Sequence, residues 1–210
     1  MRIFDWINKK QNKKEIASGN QSINNKLGKE IIGLEKEELI KTLPTFEYHP
    51  NVYKNGIVEF KTGICNCCGK EVKAYVQVMY TRENVDCICM ECIKDGSAAK
   101  KFDGSFIDTA EDVSDPVKVE ILFSKTPGYV SWQGEHWLAC CDDYCEFIGD
   151  AGIKELDKLG ITDEVIKECC KNFDWDESSL KQNLTAGGTV AGYLFKCRHC
   201  GKYHLYVDLS

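Results

Sequence analysis

Cys65-Asn-Cys-Cys68-Gly-Lys70 and, farther along, Cys87-Ile-Cys89-Met-Glu-Cys92 are the two stretches from which this chain is best read. Two Cys-x2-Cys pairs, Cys65/Cys68 and Cys89/Cys92, flank the run Gly69 to Ile88, which is the spacing of a four-cysteine zinc site. A Cys-x2-Cys turn lets two thiolates reach one tetrahedral ion, and Gly69 suits the positive-φ position that such a knuckle needs. Between the pairs, Glu71 to Thr81 (EVKAYVQVMYT) has the β-branched and aromatic content of a half-buried strand. The expected object is a zinc ribbon.

A second knuckle repeats the first: Cys197-Arg-His-Cys200-Gly201-Lys202 stands between the strand-like runs Tyr193 to Phe195 and Tyr203 to Val207. One pair supplies two ligands, so two more must come from elsewhere. Cys141 and Cys145 are the nearest unassigned thiols, with Cys140 and His136 in reserve; His199 and His204 sit less naturally in a knuckle. The expected second zinc site is therefore Cys141, Cys145, Cys197 and Cys200. Cys67, Cys87 and Cys140 are surplus, open to use as packing residues, alternative ligands or a reactive thiol. Cys169 and Cys170 fall in a helical pattern, where adjacent side chains diverge, and read as small buried hydrophobes.

Four-thiolate zinc is closed and structural, whereas hydrolytic zinc keeps an open position among His and carboxylate ligands. The chain has 4 His and no HxH or HExxH pair, P-loop, dinucleotide fingerprint or nucleophile elbow. No catalytic residue is assigned. The rival reading is a hydrolase-like enzyme with a pocket under DGSAAKKFD and TPGYVSWQ. Its polar groups would be Asp95, Asp103, Asp108, Asp143 and His136, and they would have to converge in a cleft. Asp95, Asp108, Trp132, His136 and Asp143 are the candidate functional surface.

Composition narrows the classes. At 210 residues and 43% hydrophobic content the chain is globular and long enough to bury a core. No apolar run approaches the roughly 20 residues of a membrane span. The start, MRIFDWINKKQNKKE, lacks the apolar core of a secretory signal, so a cytoplasmic location is expected, and there 13 cysteines mean metal ligands before disulfides. A net charge of −6 argues against sequence-independent nucleic-acid binding and fits a basic partner.

Residues 1–42 read as a basic arm with an amphipathic start (Ile3, Phe4, Trp6, Ile7) and a helix at 34–43 stopped by Pro44. Residues 43–210 form the zinc-binding part, as one domain or as two lobes near 43–125 and 126–210. The expected class is α+β: zinc-ribbon-like knuckles on short antiparallel sheets, with short helices at 97–102, 135–140 and 152–172. Asn55-Gly56 turns into a strand at Ile57 to Phe60, and a further strand falls within Asp112 to Ser124, where Val117, Val119, Ile121 and Phe123 alternate. His49 before Pro50 reads as a residue satisfying a local backbone contact, against a ligand or acid/base role.

LPTFEYHP (43–50), CxxCG (65–69), CxxCIKDGSAAKKFDGSFID (89–108), TPGYVSWQGEHW (126–137), CCDDYCEFIG (140–149) and FKCRHCG (195–201) together resemble the CbrC family, the colicin-E2 tolerance proteins of bacteria. The resemblance runs from about Leu43 onward and leaves out the arm. It implies tolerance of, or immunity to, a protein toxin, whose basic domain an acidic protein would complement. One departure is visible: the family pattern has His-Cys where this chain has Cys140-Cys141, which leaves the role of position 140 open.

Overall fold

A computed structural model describes residues 33–210, so the expected amphipathic start at Ile3 to Ile7 lies outside the described residues. The chain divides into two units, Met1–Leu43 and Pro44–Ser210. In the first, residues 33–41 are helical (α1), and the Thr42 amide and hydroxyl both turn back to the Leu39 carbonyl. The second unit carries everything that follows.

It begins with very short strands, β1 (Val58–Glu59), β2 (Gly63–Ile64), β3 (Glu71–Val72), β4 (Tyr75–Val76) and β5 (Ile88–Cys89). β2 and β3 form a hairpin around the first knuckle, and β1, β4 and β5 form an antiparallel sheet in the order β1-β4-β5. The single strand expected at 71–81 is thus two strands and an isolated bridge at Tyr80. Helices α2 (Met90–Lys94) and α3 (Ser97–Phe102) follow. Asp95 Oδ1 accepts the Ser97 amide at the head of α3, and Asp103, at φ 44°, turns the chain out of it.

β6 (Thr109–Ala110) leads into α4 (Pro116–Lys125), where the alternation had pointed to a strand. Local chemistry decides against it: Asp115 accepts the Val117 amide as an N-cap, and Pro116 takes the first helical position. Val119, Leu122 and Phe123, three and four apart, turn to the core, while Val117 is exposed. The helix expected at 135–140 is also absent. That stretch holds β7 (His136–Trp137), parallel to β6, and β8 (Ala139–Cys140), which pairs with β9 (Asp143–Tyr144). Pairing of His136 and Trp137 to Thr109 and Ala110 makes extended backbone the better use of these residues.

β10 (Glu146–Asp150), α5 (Ile153–Leu159), α6 (Thr162–Phe173), α7 (Glu177–Asn183), β11 (Leu184–Thr185), β12 (Val190–Lys196) and β13 (Tyr203–Leu209) complete the unit. Gly160 ends α5 at φ 68°, and Thr162, the first residue of α6, donates its hydroxyl to Asp157. β12 is the spine: β13 runs along one edge, and β10 and β11 share the other. Its side chains alternate. Tyr193 and Phe195 enter an aromatic cluster with Trp137, Phe147, Tyr129 and Tyr48. Leu194 enters an aliphatic one with Leu156, Val165, Ile166, Cys169 and Leu205. Cys169 is accordingly a buried hydrophobe, its thiol pushed up to about 12 by burial. The aromatic cluster draws on Ile107 and Leu122 as well as on 129–206, so both halves of the unit share it. Among the described residues, no helix is long and apolar enough to cross a membrane.

Candidate metal centres

Two groups of four cysteines stand out, each with its thiols within 4.8 Å of one another: Cys65, Cys68, Cys89 and Cys92 in a ribbon centre, and Cys140, Cys141, Cys197 and Cys200 in a hairpin centre. Each could hold a metal ion.

Both centres are built on the same knuckle. The Cys65 amide donates to the Lys70 carbonyl and the Gly69 amide to the Cys65 carbonyl; Cys197 to Lys202 and Gly201 to Cys197 repeat these bonds. Gly69 and Gly201 sit at φ 73° and 74°, the left-handed conformation the tight turn requires. The turn also aims amides at sulfur. Cys197 Sγ accepts from the His199 and Cys200 amides, each at 3.4 Å, and Cys65 Sγ accepts from Cys89 at 3.3 Å. Burial alone would push these two thiols up, but the amide donors outweigh it and bring Cys65 to about 7 and Cys197 to about 6. Thiolate character is what a metal needs.

The partner pairs differ. Cys89 ends β5 and Cys92 lies in the first turn of α2, so a strand-to-helix junction replaces a second hairpin in the ribbon centre. In the hairpin centre, β8 and β9 are joined by Cys141-Asp142 alone, at φ 57° and 56°, a two-residue turn of the I′ kind. This turn sets Cys140 and Cys141 side by side at the tip. Cys145, expected as a ligand, lies beyond it, fully buried in the aromatic cluster. Its amide donates to Leu138, its carbonyl accepts from the Trp137 indole, and burial pushes its thiol well above the ordinary range. The structure brings Cys140 to the cluster in place of Cys145.

A tetrahedral ion with metal–sulfur bonds of about 2.3 Å, the zinc–thiolate length, separates its sulfurs by about 3.8 Å. Cys68 and Cys89 are 3.8 Å apart, Cys140 and Cys141 3.8 Å, and Cys140 and Cys200 3.7 Å. The residues fit such an ion.

Asp143, buried just past the hairpin tip, locks the two halves of the hairpin centre. Its carboxylate accepts from Tyr48 at 2.9 Å, from His199 Nε2 at 2.8 Å and from Arg198 at 3.3 Å, with Lys118 at 3.7 Å. Burial would raise its carboxyl, but His199, Tyr48 and Lys118 together hold it below its usual value. Arg198 also pairs with Glu47 at 2.6 Å, and Lys118 binds the Asp142 carbonyl at 2.7 Å. These cations surround the place where four thiolates and a divalent ion would leave a local charge of about −2.

The other candidate polar residues do not converge in one cleft: Asp95 and Asp103 line a single shallow depression with Glu120 and Lys125, and Asp108 precedes Thr109, the strand partner of His136. Asp95 caps the head of α3, and Asp103 closes its other end. An added Cβ on Gly134 would meet Asp108, and one on Gly128 would meet the buried Glu135, whose carboxylate accepts from Tyr80 at 2.5 Å. The glycines of TPGYVSWQG thus make room for two carboxylates. His136 packs on Tyr206 and Phe173, with Nδ1 3.1 Å from the Thr109 hydroxyl. Trp132 is 58% exposed, its indole donating to the Gly188 carbonyl. His49 is buried, bound at Nδ1 to the Pro127 carbonyl and at Nε2 to Asn55. Of the surplus thiols, Cys67 lies 3.7 Å from the Ser97 hydroxyl and Cys87 is buried beside Gly63.

Comparison with known proteins bears on the expected relationship. A UPF0167 protein of Pseudomonas aeruginosa is 38% identical over 178 residues, covering 80% of this chain and 98% of the relative. UPF0167 proteins of Mycobacterium bovis and Mycobacterium tuberculosis are each 31% identical over 186 residues, covering 84% of this chain and 99% of theirs. No solved structure matches. The expectation of CbrC colicin-tolerance membership is corrected by these matches, and with it tolerance and immunity lose their support. The family model that matches residues 43–209 is described as an uncharacterised protein family, and on this evidence the chain belongs to that family, UPF0167.

Proposed function

We propose that the chain is a zinc-stabilised protein-binding module, with one structural zinc in each cysteine tetrad. The carrying observation is the sulfur spacing across each centre, 3.8 Å from Cys68 to Cys89 and 3.7 Å from Cys140 to Cys200. Two-residue strands cannot persist on their own, and β1 to β5, β8 and β9 all lie around the tetrads. A tetrahedral ion supplies the cross-link that such strands lack.

Closed four-thiolate sets leave no coordination position for substrate. That Asp95, Asp103, Asp108, Asp143 and His136 do not converge in one cleft favours binding over the hydrolase-like alternative. Trp132 offers a partner an anchor: it is exposed, yet its amide and that of Gln133 are tied to the buried Asp208 at 3.2 and 3.3 Å. The net charge of −6 suits a partner with a basic surface.

Elemental analysis of protein purified without added metal tests the metal half of this reading, and two zinc ions per chain are expected. Comparison of the partners retained by native protein and by Trp132→Ala tests the other half. An unchanged set of partners would refute the role given to Trp132.

A further inference from the structure

The two tetrads differ in how far solvent reaches their sulfurs. In the ribbon centre Cys65, Cys89 and Cys92 are buried, so its close pair, Cys68 and Cys89, has one accessible member. In the hairpin centre only Cys197 is buried; Cys141 and Cys200 are exposed and Cys140 is partly so. Its close pair across the two halves, Cys140 and Cys200, is 3.7 Å apart with both members reachable. Oxidation of thiolates follows exposure.

We infer that the hairpin centre is an oxidative modification site, where a hydroperoxide converts Cys140 and Cys200 to a disulfide and releases the zinc, while the ribbon centre keeps its ion. The inference rests on the zinc reading above. Its chemistry has two steps. The exposed Cys200 thiolate attacks the peroxide, the O–O bond breaks, and Cys200 becomes a sulfenic acid as the departing oxygen takes a proton and leaves as water (from hydrogen peroxide). The Cys140 thiolate then attacks that sulfur and expels hydroxide, which a second proton converts to water. Two electrons pass from two thiolates to one peroxide. Cys141 and Cys197, left as the remaining ligands, release the ion and take up protons.

Geometry selects the pair. Cys140 also lies 3.8 Å from Cys141. Adjacent Cα atoms are fixed about 3.8 Å apart, however, short of the roughly 4.4–6.8 Å that a disulfide spans. Cys140 and Cys200, on β8 and on the knuckle between β12 and β13, are free of that restriction. Their sulfurs need to close by about 1.7 Å to reach bonding distance.

Zinc-loaded full-length protein would be titrated anaerobically with hydrogen peroxide in the presence of a chromophoric chelator, then alkylated and mapped by mass spectrometry. The expected result is one zinc released per chain, a peptide cross-link between Cys140 and Cys200, and newly alkylated Cys141 and Cys197. Retention of both ions under excess peroxide, earlier loss from the ribbon centre, or any other disulfide would overturn the inference. A chain holding fewer than two zinc ions before peroxide is added would refute the metal reading and the inference with it. The Cys67→Ser variant should behave as native protein does; loss of the response would move the oxidation to the ribbon centre and overturn the assignment.

Discussion

Exchanging Cys140 or Cys145 for alanine separates ligation from packing, because Cys140 stands at the tip of the β8–β9 hairpin among the tetrad thiols and Cys145 lies beyond it in the core. Cys145 is 0% exposed, in the aromatic cluster with Trp137, Phe147 and Phe195. Cys145→Ala deletes one buried sulfur, whose transfer is worth about 0.8 kcal/mol by analogy with a methylene group. The void left, about 25 Å³, adds about 0.6 kcal/mol at about 24 cal/mol per Å³. Together these give a loss of about 1.4 kcal/mol, or a fall in Tm of about 3–6 °C for a unit of this size. Both zinc ions should stay. Cys140→Ala instead removes a partly exposed thiol that touches Cys141 and Cys200, and it should reduce the zinc count from two to one after dialysis against a chelator. Elemental analysis and thermal unfolding of both variants decide the matter. Loss of a zinc ion in Cys145→Ala, or two ions retained in Cys140→Ala, would refute the ligand assignment.

Gly201→Ala should destabilise the loaded protein by about 1 kcal/mol in denaturant titration, since its φ of 74° is costly for alanine although no atom obstructs the new Cβ. Gly128→Ala should cost about 1–3 kcal/mol by the same measurement, for the opposite reason: its Cβ would collide with Glu135 and the Phe106 carbonyl. His49, buried and held down to about 4 from 6.5, keeps the folded state from binding a proton that the unfolded chain takes up, so its contribution is full above 6.5 and is lost as pH falls toward 4. Between pH 7.5 and 5 that loss is about 2 kcal/mol, and His49→Gln should abolish this part of the pH dependence measured by urea unfolding. Zinc loss in acid affects both proteins, so the difference between them isolates the histidine.

The sequence made the knuckles legible because their chemistry is local: two thiols, a turn and a glycine within a few residues. It did not reveal which thiols complete the hairpin centre. That depended on Cys141 and Asp142 both adopting positive φ, a conformation uncommon for either residue, which swings Cys145 into the core. Alternation at Val117 to Phe123 suited a strand and a helix face alike, and only Asp115-Pro116 distinguished them. α2 and α7 escaped notice because five- and seven-residue helices carry too few periodic positions to register. The role of Asp143, tying Arg198 and His199 to Tyr48, came from contacts between residues far apart in the chain, which no local pattern records.

The separation of ligands along the chain also orders how the molecule acquires its shape. Cys68 and Cys89 are 21 positions apart, whereas Cys140 and Cys200 are 60 apart. Closing the longer loop costs about 0.9 kcal/mol more in chain entropy, and it also waits on β12 and β13 being laid down. During synthesis the ribbon centre can therefore load while the later segments are still emerging. On the two-zinc reading the hairpin centre comes last, its ion arriving only when the strands around β12 have assembled. Occupancy of that second centre would then record completed folding, and a chain stalled before it would carry one ion.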